Sequence, residues 1–287
     1  MHRWFMVTLA LLVAGPVFAK TIVVIPGPGT PIQDAIDAAA PGDRIRLETV
    51  PGDQRFPEAV RVTKSLRIIG DSLAIIDPGC SAPIAIEVAA DDVALQGFYV
   101  YGGADTAVDI QNRDGVKVKL IYAYATSGPD GCDTARYGFN VVNSTNVKIT
   151  VTHALRHDEA SLRIANVPAG GRVAVKRLRA EQGGTTGVLV ENTTTAPGSP
   201  PAVRLDQSLV RDAMTGILLT NTDGIRLSKN TVNAITTGIR LDANSDDNVL
   251  LRNTSYAATV DVADDGTNNC WIGTLYDTGT IVEGNCD

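Results

Sequence analysis

The chain has 287 residues, with 25 Lys and Arg against 32 Asp and Glu, a net charge of −7 and only 5% aromatic side chains. That acidic balance argues against a nucleic-acid binder, whose contact surface is normally basic. The length exceeds what one compact core usually fills, unless the core is extended lengthwise.

Taken in chain order, the first feature is a secretory signal expected over residues 1–19. Arg3 supplies the positive region, Trp4 to Ala14 the apolar stretch, and Val17-Phe18-Ala19 a small-residue cleavage site. A retained anchor needs about 18 apolar residues, and this run is shorter and broken by Gly15-Pro16. Without Arg3 the mature chain is one charge more negative. The expected location is secreted or periplasmic, with no membrane span. Cys80, Cys132, Cys270 and Cys286 lie in the mature chain. In an oxidising compartment an even count predicts two disulfides, and four cysteines permit three pairings. Cys80–Cys132 and Cys270–Cys286 are the favoured pairs, the second closing a short loop at the end of the chain. No Cys-x-x-Cys spacing supports a metal site, and none is expected.

Residues 20–64 read as an N-terminal cap on a domain spanning 65–287. Thr30-Pro31-Ile32-Gln33 has the pattern of a capping box with Pro at the first helical position. Ile32, Ile36 and Ala39 fall on one helical face, and Pro41-Gly42 stops the helix. Short strands are predicted from Arg44 to Leu47, from Ala59 to Val62, and around Ile68-Ile69 and Ile75-Ile76. A stack of strands with an exposed first coil would leave an open edge, which a helix can cover.

From Ile84 onward one phrase recurs: an alternating apolar triplet, a turn, a second triplet, then a polar turn. First triplets include Ile86-Glu87-Val88, Val108-Asp109-Ile110, Phe139-Asn140-Val141, Leu162-Arg163-Ile164, Ile239-Arg240-Leu241 and Val260-Asp261-Val262. The spacings Ile86 to Val108 and Ile217 to Ile239 are both 22 residues. A fixed period in the low twenties with period-2 alternation predicts an all-β solenoid of about eight or nine rungs. Outward residues of the second triplets include Lys117, Lys148, Arg204 and Arg226, a basic ladder that suits an acidic polysaccharide or simply keeps the sheet soluble. Two insertions, Ala125 to Arg136 and Thr193 to Pro201, lengthen turns where binding loops are commonly built.

The phrase Ile32-Gln33-x-Ala35-Ile36, with Pro41-Gly42-Asp43 and Ser65-Leu66-x-Ile68-Ile69-Gly70, resembles the opening of exported right-handed parallel β-helix proteins. The later units, including Asn230-x-x-Asn233 and Asp247-Asn248, resemble the repeats of the pectin-lyase-like superfamily over about residues 30–275. The resemblance implies a right-handed parallel β-helix. It leaves function open, because that superfamily holds lyases, hydrolases, epimerases, adhesins and binding proteins.

In the polysaccharide enzymes of that superfamily the cleft tends to lie on the first-triplet strand. Here Glu87, Asp109, Asn140 and Arg163 would stack in order about 4.8 Å apart. Asp109, Arg163 and His157 are the catalytic candidates. Glu87, Asn140, Asp158 and Glu159 are the substrate-binding candidates, the last two beside His157 in the turn Arg156-His157-Asp158-Glu159. Paired carboxylates with a histidine suit acid–base chemistry on a glycosidic bond. Glu87 and Asp109 alternatively suit Ca²⁺ held by hard oxygens, and the acidic turns at Asp242, Asp246, Asp247, Asp264 and Asp265 suit a Ca²⁺ staple.

Two motif matches do not extend this. Asn221-Thr222-Asp223-Gly224 matches the NTDG tetrapeptide of polygalacturonase-type hydrolases but follows the first triplet instead of preceding it. Tyr137-Gly138-Phe139-Asn140-Val141-Val142-Asn143 resembles the YGFDPHD segment of mannuronan C5-epimerases. Asn140 and Val142 stand where that family has its catalytic Asp and His, which argues against epimerase chemistry. Two classes therefore remain: an exported monomer that binds or processes a polysaccharide as a lyase or glycoside hydrolase, and a non-catalytic structural or binding β-helix of the cell envelope.

Overall fold

The computed structural model describes residues 19–125, 135–195, 198–257 and 259–281. The signal-sequence expectation, Cys132, Cys286 and most of the Ala125 to Arg136 insertion fall outside the described residues.

The chain winds as a right-handed parallel β-helix. Every paired strand is parallel to its neighbours, and successive coils stack in two sheets of ten and sixteen strands. The first triplets form the ten-stranded sheet, from Val60–Val62 at one end to Gly279–Thr280 at the other. Ten strands make about ten coils rather than eight or nine, because short strands at both ends join the stack. Pairing of Arg44–Leu47 with Arg67–Gly70, and of Val60–Val62 with Ile84–Val88, carries the ladders across residue 64.

The second triplets form one limb of the sixteen-stranded sheet, and the expected polar turn after them is instead a sharp corner. One residue per coil takes a left-handed backbone there: Gly97, Leu120, Val151, Arg177, Gln207, Lys229 and Arg252. A third strand then begins, as at Ile121 to Tyr124 within Lys117–Tyr124. Each coil therefore has three faces. The first is the outer surface of the ten-stranded sheet, the second that of the Lys117 limb, and the third that of the Tyr122 limb.

Inward positions are mainly Val, Ile, Leu, Ala and Phe, with Phe56, Phe98 and Phe139 fully buried. Many of the polar groups that enter the core lie in hydrogen-bonded stacks at corners. Asn230 Oδ1 accepts from the Ser208 N–H at 2.9 Å, Asn253 Oδ1 accepts from the Asn230 N–H at 3.0 Å, and Asn230 Nδ2 donates to Leu205 O at 2.9 Å. Asn248 and Asn269 repeat the arrangement at the corner before the second face. Buried amides must be paired in this way, since an orphan costs about 1–3 kcal/mol.

The helix Pro31–Ala38 forms and buries Ile32, Ala35 and Ile36. It packs against Thr21–Val24, Arg44–Leu47 and Val60–Val62. Its start differs from the expected capping box, because Thr30 makes no side-chain cap bond. The buried Glu58 carboxylate accepts the Ile32 and Gln33 N–H groups at 2.8 and 2.9 Å instead. Burial pushes the Glu58 carboxyl up, against the pull of those two donors. A partner 25 residues away in sequence thus replaces the local one.

Two registers differ from the sequence alignment. Ile239 pairs with Val262 and Arg240 with Ala263, so Val260-Asp261-Val262 is displaced by two residues. Asp261 is consequently buried, and its carboxylate accepts the Asp277 and Thr278 N–H groups at 2.7 and 2.9 Å. On the second face the triplet Val249-Leu250-Leu251 would set Leu250 level with Arg226, but Arg226 pairs with Val249, which sends Leu250 into the core.

Candidate functional site

Parallel pairing sets Glu87, Asp109, Asn140 and Arg163 on consecutive coils of the first face in one row. Alternation turns all four outward, because their flanking residues Ile86, Val108, Phe139 and Leu162 fill the core.

Asp109 is 4% exposed and accepts from Gln111 Nε2 at 3.0 and 2.9 Å and from Asn140 Nδ2 at 2.7 Å. Burial pushes its carboxyl up. The donors from Gln111 and Asn140 oppose this, and the nearby charges of Glu87 and Asp105 add to it. Asn140 Oδ1 in turn accepts from an Arg163 Nη at 3.2 Å. Arg163 also donates through Nε to Glu191 Oε1 at 2.7 Å. The result is one line of bonds, Gln111–Asp109–Asn140–Arg163–Glu191, across four coils.

A second group adjoins it. Tyr137, pairing with Ala160 and Thr106 in the same sheet, lies between two guanidinium groups, Arg136 at 5.1 Å and Arg163 at 5.4 Å from its ring centre. Its hydroxyl donates to Glu159, which also accepts from Arg136 Nε at 2.7 Å. The bonds from Arg136 and Tyr137 hold the Glu159 carboxyl below its usual range. Burial and the Glu159 carboxylate push the Tyr137 phenol up to about 12.

His157 takes no place in this cluster. It is fully buried, with Nε2 3.3 Å from Ala123 O, and burial lowers its pKa to about 4. The ring occupies space left by Gly138, where an added Cβ would lie 2.9 Å from His157 Cδ2. The ring therefore sits in the core, away from the first-face row, and burial favours its neutral form. Asp158 is exposed. Glu87 is paired with Arg61 at 2.9 Å.

The acidic turns expected to suit Ca²⁺ are engaged locally. Asp264 accepts from Trp271 Nε1 at 2.6 Å and Asn269 Nδ2 at 2.8 Å, and Asp246 accepts from Thr267 Oγ1 at 2.7 Å. Among the described residues no group of three or more His, Cys, Asp or Glu side chains is arranged to hold a metal ion. No disulfide joins two described residues. Neither Cys80 nor Cys270 is free, and their expected partners lie outside the described residues. No helix among the described residues is long and apolar enough to cross a membrane.

The sequence reading missed Gln111, Glu191 and Arg61, and it gave Tyr137 and Arg136 no place in the site, although all five lie on or beside the first-face row. Gln111 and Glu191 lie two residues beyond the outward position of their own triplets, on the same side by alternation, and that offset is the signal that finds them. It also missed the third face, where Tyr99 and Tyr122 stack with ring centres 4.9 Å apart. There Tyr124 Oη lies 3.3 Å from His153 Nδ1, and His153 Nε2 lies 3.0 Å from Glu181. Tyrosines at matching positions of two successive repeats, Phe98-Tyr99-Val100-Tyr101 and Ile121-Tyr122-Ala123-Tyr124, carry that signal.

No family model matches the chain, and no curated protein matches it. Solved structures do. A pectate lyase aligns over 95% of this chain and 80% of its own, with TM-score 0.67 and 13% identity. A lacto-N-biosidase from Eubacterium ramulus aligns over 93% and 67%, with TM-score 0.61 and 11% identity. The A-module of a mannuronan C-5 epimerase from Azotobacter vinelandii aligns over 92% and 90%, with TM-score 0.56 and 11% identity. At these identities the likeness establishes the fold: a pectin-lyase-like right-handed parallel β-helix.

Proposed function

We propose that the protein is an exported β-helix that binds and processes a polysaccharide along the N-terminal coils of its first face. The buried Asp109 carboxyl carries this reading. Its pKa is raised by its surroundings, Glu87 stands one coil away, and Arg163 stands two coils away on the other side. A carboxyl whose pKa is raised by burial is better suited than an exposed one to donate a proton to a leaving oxygen. Glu87 supplies the second carboxylate at a coil spacing of about 4.8 Å, comparable with the roughly 5 Å between the carboxyls of retaining glycosidases. Asn140 positions Asp109 through its bond to it, and Arg163 in turn holds Asn140. Among the described residues, His157 lies in the core and Arg163 is tied to Glu191, so neither offers an unengaged base on this face, which favours hydrolysis over lyase chemistry. Two of the similar structures are named as a pectate lyase and a mannuronan C-5 epimerase, which suits a glycan ligand on this fold.

The pairing of the charges supports a second reading, non-catalytic binding. Arg61–Glu87, Arg163–Glu191 and Arg136–Glu159 are all closed ion pairs. Incubation with uronate-containing and neutral polysaccharides, with and without Ca²⁺, followed by mass spectrometry of products, decides between them. Hydrated new ends that disappear in Asp109→Asn are the expected result. Unsaturated ends would make it a lyase. A blank across the panel would leave the binding reading.

A further inference from the structure

The second face carries cations of a different kind. Lys117 pairs with Lys148, Lys148 with Ala174, Ala174 with Arg204, and Arg204 with Arg226, all in one outward row. Two residues along, Lys119 and Lys176 occupy a second outward row. Five consecutive coils therefore present at least one cation each, over about 19 Å of rod at 4.8 Å per coil. Arg67 and Arg44 continue the first row toward the N-terminal end, interrupted at Ala94.

None of the six residues from Lys117 to Arg226 forms an ion pair with a described residue. On the first face every arginine of the N-terminal row is paired; here like charges face each other across adjacent strands, an arrangement that costs energy. Three grooves lie along this face. One of about 510 Å³ holds Arg67, Lys117 and Lys119, and one of about 300 Å³ holds Lys148 and Arg204. The third, of about 230 Å³, holds Lys176, Arg204 and Arg226, and Arg204 lines both neighbouring grooves. Asp92 and Asp206 are the carboxylates lining these grooves.

We infer that the second face is a binding site for a linear polyuronate chain laid along the rod axis, separate from the first-face cluster. A uronate chain brings one carboxylate per sugar, and an extended pyranoside advances by about one ring length per residue, comparable with the coil spacing. Bound carboxylates neutralise the repulsion within the row. Nucleic acid fits less well. Its charge is far denser, one per about 1.7 Å of duplex, and the protein as a whole is acidic. The outward rows from Lys117 to Arg226 also lack an aromatic side chain on which bases would stack. The inference stands independently of catalysis on the first face.

Isothermal titration with polygalacturonate, with dextran as the neutral control and poly(dT) as competitor, tests it. The wild-type protein should bind polygalacturonate and not dextran, and binding should weaken steeply as salt is raised, as screening requires. The triple variant Lys117→Ala/Lys148→Ala/Arg204→Ala should bind at least about tenfold more weakly with a shallower salt dependence, while Lys148→Arg alone should bind as the wild type does. Circular dichroism checks that the triple variant is folded. No wild-type binding at low salt, undiminished binding by the folded triple variant, or displacement by poly(dT) at lower concentration than polygalacturonate would each overturn the inference. Any first-face turnover should survive in the triple variant, and its loss would show that the two faces are one site.

Discussion

The first and second faces are made from the same phrase, an outward residue between two inward ones, repeated coil after coil. On the first face that position holds Arg61, Glu87, Asp109, Asn140 and Arg163, and nearly every charge meets an opposite charge or an amide on the next coil. On the second it holds Lys117, Lys148, Arg204 and Arg226, with no such partner. A parallel stack places identical positions side by side. The sign of successive outward residues therefore decides whether a face becomes a closed network or an open electrostatic surface. Closure withdraws groups from solvent and shifts their pKa values, as at Asp109. Openness leaves charge available to a ligand.

Cutting the closed network should show the difference most strongly. Arg163→Ala leaves Glu191 and Asn140 without their partner, and Arg163 and Glu191 are only 25% and 21% exposed. A loss of about 2 kcal/mol is expected in denaturant unfolding. A loss below about 0.5 kcal/mol would mean that the network is as loose as an exposed pair.

The buried His157 offers a pH test of similar size. Its folded pKa, about 4, lies below the unfolded value of about 6.5. Between those values the unfolded chain binds the extra proton, so stability falls as pH falls. About 2 kcal/mol should be lost between pH 7 and pH 5, before most carboxylates titrate. His153, also lowered chiefly by burial, acts in the same direction. His157→Gln should flatten the slope; an unchanged slope would place the titration elsewhere.

The corner between the second and third faces should respond next. Asn230→Ala removes the acceptor of the Ser208 N–H and the donor to Leu205 O, for an expected loss of about 1–2 kcal/mol. The smallest effect is expected on the open face, where Lys148→Ala should change stability by less than about 0.5 kcal/mol, with relief of repulsion offsetting lost packing. A clear destabilisation there would show that the second face is part of the fold's support.

Much of the first-face row was legible in the amino-acid order. Alternation assigns Glu87, Asp109, Asn140 and Arg163 to the outside, and the repeat brings them level. Legibility ended wherever position depended on a corner. His157 lies between strands, where no periodicity says which way a side chain turns, and the gap beside Gly138 drew it inward. Asp261 looks like one more outward residue, but the register moved by two and its carboxylate became a backbone acceptor. The third strand went unread because its corner is a single left-handed residue, and Leu120 and Val151 give no Gly or Asn signal for that conformation.

The sequence by itself determined the coil. Period-2 alternation within a repeat in the low twenties can bury its apolar residues only by stacking strands, and that requirement is local and repeats along the chain. Tertiary structure alone decided which charges meet. Glu58 reaches the N-terminus of a helix 25 residues earlier, Arg163 reaches Glu191 on the next coil, and Lys117 to Arg226 reach no carboxylate among the described residues. Those outcomes depend on distances of a few ångströms between coils, which are fixed by how each corner turns and by the register in which the strands pair.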